Sequence, residues 1–414
     1  MRILIAAIYP YVFLLLYLII PFDSYIRALP NILLIILVLA FPFTVKKADF
    51  RNLKSLPVIL VCTLLVYLAF NSFFAGRFPE DFNIIKKVMI ALGMAILYIP
   101  VLNLDPSSGH AEKIKRAIIF SSLAAIVFSI YNFVLITDAT GSFALGNSPQ
   151  VVESLLIDRL YLGLLSTFSI LISFQSIKEK YHPNNNYHLA NIVINLVFIL
   201  LIASKLAGIS LFVLLFIYQF YGQRRIWKVF LACIALGAGI TLFFIMKNDG
   251  SEIKESGMTT KSSLAFIENS RTYELRAVVW ECATRIIEAE GFTWTGDGFE
   301  GTNQKLLSCY NTQITDPHKR EEFIHKEYNT HNQFLDFYLS AGFIALLLFV
   351  IFVAVSFLSV RKQFFPTAML ALLVMYCLME NMFHRQIGSY YIAFILIMLM
   401  TKEMPRENDN LKEI

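Results

Sequence analysis

Residues 329–358 read NTHNQFLDFYLSAGFIALLLFVIFVAVSFL. A polar His331-Asn332 pair runs straight into an apolar segment long enough to cross about 30 Å of hydrocarbon, which a helix does in roughly 20 residues. Segments of this kind recur from the first residues almost to the last. Of the 414 residues 57% are hydrophobic and only 16% charged, and the mean hydropathy is +0.63. That balance cannot be hidden inside one soluble core, so the expected class is an all-α polytopic membrane protein.

About twelve spans are expected, with cores at residues 3–21, 29–45, 56–75, 84–102, 117–137, 155–175, 189–203, 206–221, 227–246, 336–358, 364–380 and 386–401. The pair 189–203 and 206–221 is short for full crossings, with Lys205 between its members. Arg2 precedes the first apolar run, but YLIIPFDSY offers no small-x-small cleavage site, so this run is read as the first span and not as a signal peptide. The boundaries follow: spans one to nine in 1–246, one large and mainly helical loop in 247–335, spans ten to twelve in 336–401, and a tail in 402–414.

The formal net charge of +5 invites a nucleic-acid reading, but the basic residues are dealt out loop by loop and gather on no single face. Alternate loops hold Lys46, Lys47, Arg51 and Lys54, then Lys113, Lys115 and Arg116, then Lys178 and Lys180, then Arg224, Arg225 and Lys228, then Arg361 and Lys362. The positive-inside rule puts these loops and both termini in the cytoplasm. The short loops of the other set carry only Arg27, Arg77, Lys205 and Arg385, and the alternation places 247–335, whose own cations are balanced by Asp and Glu, outside.

Within that loop KNDGSEIKESGMTTKSS is polar and rich in Gly and Ser. In SRTYELRAVVWECATRIIEAEG, by contrast, Leu275, Val278, Val279, Cys282, Ile286 and Ile287 fall at helical spacing, and Gly291 supplies a natural end. GFTWTGDGFEG reads as a glycine-bearing turn and HKREEFIHKEY as a second surface helix. Cys62, Cys233 and Cys377 fall in spans, where a thiol fills space. Cys282 and Cys309 share the outer loop; their pairing as a disulfide is left open by the sequence.

Several residues carry candidate chemistry. If 331–346 is one helix, His331 and Gly342 share a face, because eleven residues at 100° each bring the second under the first. An imidazole at a membrane boundary exchanges protons near neutral pH; the plain alternative is an interfacial His bonded to a loop. Arg159 near the outer end of the sixth span, Lys205, Arg276 and Arg271 at the head of the loop helix, and Arg385 beside Glu380 and His384 are cations on the outer side. Together they would form a pocket for a lipid diphosphate. Singly, each also reads as a local ion pair, Asp158 with Arg159 and Glu380 with Arg385 being ready examples. The GDG turn at 296–298 either aims backbone amides at an anion or is a simple turn.

No phosphate-binding G-x-x-x-x-G-K-[ST], no D-x-D, no G-x-S-x-G and no H-E-x-x-H occurs, so neither a cofactor nor a metal is expected.

These features resemble the O-antigen ligase and polymerase superfamily: about twelve spans, a large late outer loop, and His-Asn opening the next span. The pattern H-N-x-x-L with Gly eleven residues after the His is met by His331, Asn332, Leu335 and Gly342, and the small residue three further on by Ala345. An Arg four residues before a Trp, followed by a G-x-G turn, resembles Arg276, Trp280, Gly296 and Gly298. Ser204-Lys205 stands where the family ends a span with Ser-Arg; a Lys cannot grip a phosphate through two parallel bonds as Arg does.

The resemblance implies transfer of a glycan from undecaprenyl diphosphate to an acceptor hydroxyl, on lipid A core or on another glycan, at the periplasmic face of the bacterial inner membrane. It implies catalytic roles for His331 and Arg276, substrate binding by Lys205, Arg159, Arg385, Asn332 and Arg271, and structural roles for Trp280, Gly296, Gly298 and Gly342. Membrane lipids are the remaining expected partner, and nucleic acid is not one. A polymerase of the same superfamily is the alternative. A transporter or flippase for a lipid-linked sugar fits less well, because the polar residues cluster at the outer edge with no half-repeat.

Overall fold

In the computed structural model residues 2–23, 25–47, 49–50, 55–102, 110–140, 155–178, 182–221 and 274–400 are described, and every regular element among them is helical. They are α1 (Arg2–Ile19), α2 (Leu29–Thr44), α3 (Leu56–Phe74), α4 (Phe78–Leu97), α5 (Ile99–Leu102), α6 (His110–Thr140), α7 (Arg159–Ser176), α8 (Pro183–Leu201), α9 (Lys205–Tyr218), α10 (Glu274–Glu290), α11 (Phe299–Gln313), α12 (Pro317–Lys326), α13 (Gln333–Val360), α14 (Phe364–Met379) and α15 (Gln386–Met400). The expected span at 227–246, the Gly- and Ser-rich segment, Arg271, Cys233 and the tail lie outside the described residues.

Among the described residues, five helical stretches are long and apolar enough to cross a membrane by length and composition, and α2, α9, α14 and α15 are shorter apolar helices. The architecture fits an α-helical membrane protein. Starts are set by local chemistry. Asp158 caps α7, accepting from Leu160 N at 2.9 Å, and Asp316 caps α12, accepting from His318 N at 2.9 Å. Proline occupies the first turn of α2, α3, α4 and α8, where its missing N–H is no loss.

The innermost helix is α15, buried at every position from Gly388 to Met398. It packs on α4 and α14, while α3 packs on α13 and α7 on α8. Tyr17, Phe168, Tyr391 and Phe394 meet edge-on or tilted across this core. Outward faces stay apolar, as at Phe70, Phe73 and Phe74 of α3 and Leu39 of α2, which suits a hydrocarbon surround and not water.

A second core belongs to α10, α11 and α12. Val278, Val279, Ala283, Leu306, Tyr310 and Phe323 pack together, and Cys282 is disulfide-bonded to Cys309. The helical periodicity read from 274–290 therefore holds, and Gly291, with φ +72, ends α10 as expected. HKREEFIHKEY supplies most of α12, closed by Glu327 in the left-handed conformation.

The expected continuous helix over 331–346 does not form. Gly342, at φ 78 and ψ −176, breaks α13 into two halves, and residues 293–298 insert at the break. Phe343 N donates to Thr293 O at 3.0 Å, Asp297 N to Leu339 O at 2.9 Å and Gly298 N to Ser340 O at 2.7 Å. The bonds that the break removes from the helix are thus supplied by the inserted backbone. Tyr67 of α3 closes the seam, with its hydroxyl 2.8 Å from Ala341 O. The approach is close enough to require glycine: a Cβ on Gly342 would lie 2.1 Å from Trp294 O, and one on Gly296 would lie 2.6 Å from Gly342 N. The Asp297 and Gly298 amides are consumed in this seam, so the GDG turn is a structural turn and not an anion cradle.

Candidate functional site

The half-helix 333–341 begins immediately after His331. Asn332 caps it, its Oδ1 accepting from Phe334 N at 3.0 Å and Leu335 N at 3.2 Å. His331 precedes the cap with φ 44, a conformation that L residues adopt at some cost in strain. The backbone is held there by Asn329, whose Oδ1 accepts from His331 N at 3.0 Å. His331 and Gly342 accordingly do not share a helix face: one lies before the helix and the other is its break.

The imidazole meets Glu380, which follows the last residue of α14. His331 Nδ1 lies 3.0 Å from Glu380 Oε2, with the two side chains 18% and 10% exposed. Nδ1 therefore donates to the carboxylate, which leaves Nε2 as the ring's proton acceptor. His331 Nε2 is buried and has no hydrogen-bond partner among the described residues. Burial pushes the Glu380 carboxyl up, but the His331 hydrogen bond and the nearby charges of Arg385 and Arg276 outweigh it and hold the group below its usual range.

A second pair crosses the first. Because Asn329 Oδ1 faces the His331 N–H, its amide NH2 faces His384 Nδ1 at 3.4 Å. His384 Nδ1 is then the acceptor, and Nε2 carries the proton toward Asp336 Oδ2 at 2.9 Å. Gln333 ties the same two segments, with Phe383 N donating to its Oε1 at 3.0 Å and its own Nε2 donating to Asp336 at 3.1 Å. Lys87 of α4 donates to His384 O. Segment 329–336 thus supplies one His and one acid, and segment 380–384 supplies their partners.

Three expected cations converge here. Arg276 Nε donates to Met379 O at 3.2 Å, which sets its guanidinium beside Glu380. Arg385 donates to Asp158 Oδ2 at 3.1 Å and stands 5.8 Å from the Tyr161 ring centroid. Arg159, next along from Asp158, is within electrostatic range of Arg276. The expected pairing of Arg385 with Glu380 is therefore replaced: Arg385 takes Asp158 and Glu380 takes His331. Trp280 buttresses the loop, its Nε1 donating to Thr330 O at 3.0 Å. Lys205 is exposed at the start of α9. Its link to the cluster is packing, since Gly163 of α7 lies against Ser204 and Ala207.

Residues 190–350 match the family model described as O-antigen ligase. That part of the chain, less than half of it, is similar to the O-antigen ligase and polymerase superfamily. No curated protein matches the chain significantly. The matched stretch includes Lys205, Arg276, Trp280, Gly296, Gly298, His331, Asn332 and Gly342, and the similarity supports a ligase or polymerase type of function. Arg159, Glu380, His384 and Arg385 lie beyond its limits and reach its residues only through the fold. Glu380, His384, Asp336 and Asn329 are among the site residues to which sequence reasoning gave no role. ENMFHR is visibly polar between two apolar runs, but its pairing with a segment 49 residues away leaves no mark in spacing.

Proposed function

We propose that the chain is a metal-independent, inverting glycosyltransferase that moves a glycan from undecaprenyl diphosphate to a hydroxyl of lipid A core. The observation that carries this reading is the buried, unpartnered His331 Nε2 on a ring whose other nitrogen is held by Glu380. A sugar hydroxyl is a poor nucleophile, and a base at that nitrogen takes its proton as the new bond forms, a contribution of about 10²–10⁴-fold. The acceptor oxygen bonds to the anomeric carbon. The bond from that carbon to the diphosphate oxygen breaks, and its electron pair leaves with the lipid diphosphate. Arg276, with Arg159 and Arg385 close by, meets the negative charge that develops. Displacement from the opposite face inverts the anomeric centre. Glu380 fixes the ring and offsets the positive charge that His331 gains. Asn332, its Oδ1 engaged by the cap, has an amide NH2 for a substrate oxygen, and Lys205 and Arg271 would extend the cationic surface along the donor.

The same reading places 247–335 on the periplasmic face of the bacterial inner membrane and both termini in the cytoplasm. The Cys282–Cys309 disulfide supports that side, because such bonds persist in oxidising compartments. The helix break at Gly342 does not favour a transporter, since its freed groups are met by protein backbone and not left for cargo.

The test uses purified protein in lipid with an undecaprenyl-diphosphate-linked oligosaccharide and lipid A core, wild type beside His331→Ala, following lipid diphosphate release and gain of acceptor mass. Transfer to core by wild type alone supports the ligase. Growth of the lipid-linked chain instead makes it a polymerase, and full activity of His331→Ala removes the base. Transfer should survive chelation.

A further inference from the structure

A cavity of about 370 Å³ opens between α6, α7 and α8, at the end of α7 opposite Arg159. At 1.5 Å per residue that end lies roughly 25 Å along the helix from the arginine, close to the thickness of a hydrocarbon core. Lys115 and Arg116 of α6, Gln175 of α7, Lys178 beyond it and His188 of α8 line the cavity.

The charges do not cancel. Glu112, the one carboxylate in the lining, lies 3.7 Å from Lys115 and offsets that ammonium. Lys115 is further tied to Gln175 Oε1 at 2.9 Å and stands over the Phe365 ring, so it forms part of the wall. Among the described residues no carboxylate comes within ion-pair distance of the Arg116 guanidinium or the Lys178 ammonium, which leaves two uncompensated positive charges on one concave surface. His188 adds a buried Nδ1 that has no hydrogen-bond partner among the described residues.

The walls are fixed from within. One turn deeper along α8, Asn191 donates to Ser169 Oγ at 2.9 Å and Ser173 Oγ at 2.8 Å of α7. Ser122 of α6 donates to Asn195 at 2.6 Å. Buried amide and hydroxyl groups bonded across three helices hold them in one arrangement, so the cavity is formed before any ligand arrives. Cations that merely snorkel to headgroups spread around a helix end; here they converge from two elements on one hollow.

We propose that this cavity binds a phosphate group at the membrane face opposite the His331 cluster, with Arg116 and Lys178 as its charged contacts. The chemistry is that of a phosphodiester on an anionic lipid headgroup or of a free phosphate at the same surface, and the two sources separate by experiment.

Full-length protein in zwitterionic phosphatidylcholine nanodiscs is titrated with phosphatidylglycerol, and separately with inorganic phosphate. Binding is read by native mass spectrometry and by the shift in thermal unfolding. The comparison is with the variant Arg116→Gln/Lys178→Gln, whose substituted side chains are both exposed. Phosphatidylglycerol should bind wild type and bind the variant at least about tenfold more weakly. Inorganic phosphate binding with the same sensitivity supports the site with a soluble source. Equal binding by the variant, or binding of neither probe to wild type, overturns the proposal. Should the double variant not fold, Lys178→Gln alone decides by the same criterion.

Discussion

His331 Nδ1 and Glu380 Oε2 lie 3.0 Å apart although 49 residues separate them in the chain. The pair joins the capped start of α13 to the end of α14, and it assigns the proton-accepting role to His331 Nε2. Glu380→Gln keeps the size and one acceptor oxygen but removes the charge that offsets an imidazolium. Turnover should fall on the order of 10²-fold with the protein still folded, as measured by initial rates beside circular dichroism.

Glu380 also carries a pH signature. Its carboxyl is held below its usual range in the folded protein, so it contributes stability that is full above the unfolded value of about 4.3 and is lost as pH falls through the lower folded value. Thermal unfolding measured on acidification should show the midpoint dropping through that window, and Glu380→Gln should flatten this part of the profile.

On the proposed reading Arg276 acts through charge and through position. Its Nε bond to Met379 O sets the guanidinium beside Glu380. Arg276→Lys keeps the charge and loses that bond, whereas Arg276→Ala loses both. The alanine variant should use the lipid-linked donor less well than the lysine variant, read as a higher KM; equal loss would mean that charge contributes nothing.

On the proposed reading His384 is a positioning residue. It holds Asn329, which in turn holds the His331 backbone. His384→Ala should lower turnover roughly tenfold while the pH profile keeps its shape, since the reacting ring is unchanged. A displaced profile would instead put His384 among the proton-transfer groups.

Reduction of Cys282–Cys309 opens a link across a sequence separation of 27. The loss in the chain-entropy account is about 3–4 kcal/mol. Because α10 also carries Arg276 and Trp280, dithiothreitol or Cys309→Ser should lower both the unfolding midpoint and the transfer rate.

Most of the helices were legible in the sequence, because an apolar run of membrane length has few other readings. The boundaries of α3, α14 and α15 fall within a residue or two of the expected cores. His331, Arg276 and Trp280 were legible through their pattern. What was not legible is what long-range backbone pairing decides. A helical wheel assumes continuity, and nothing in LSAGFIAL marks Gly342 as a break and not a small packing residue; the cause lies at Thr293–Gly298, more than forty residues earlier. Likewise Arg385 and Glu380 read as neighbours until the fold offers each a better partner.

The seam at Gly342 bears on how force travels through the molecule. Thr293, Asp297 and Gly298 complete the backbone of α13, so the unit built from α10, α11 and α12 is stitched into that helix and does not merely rest on it. The half-helix that follows His331 is short and is gripped at its far end by this seam. The half-helix runs from that seam to its cap at Asn332, next to the His331–Glu380 pair. The position of the proposed base is thereby tied through one short helix to that of the disulfide-bonded unit.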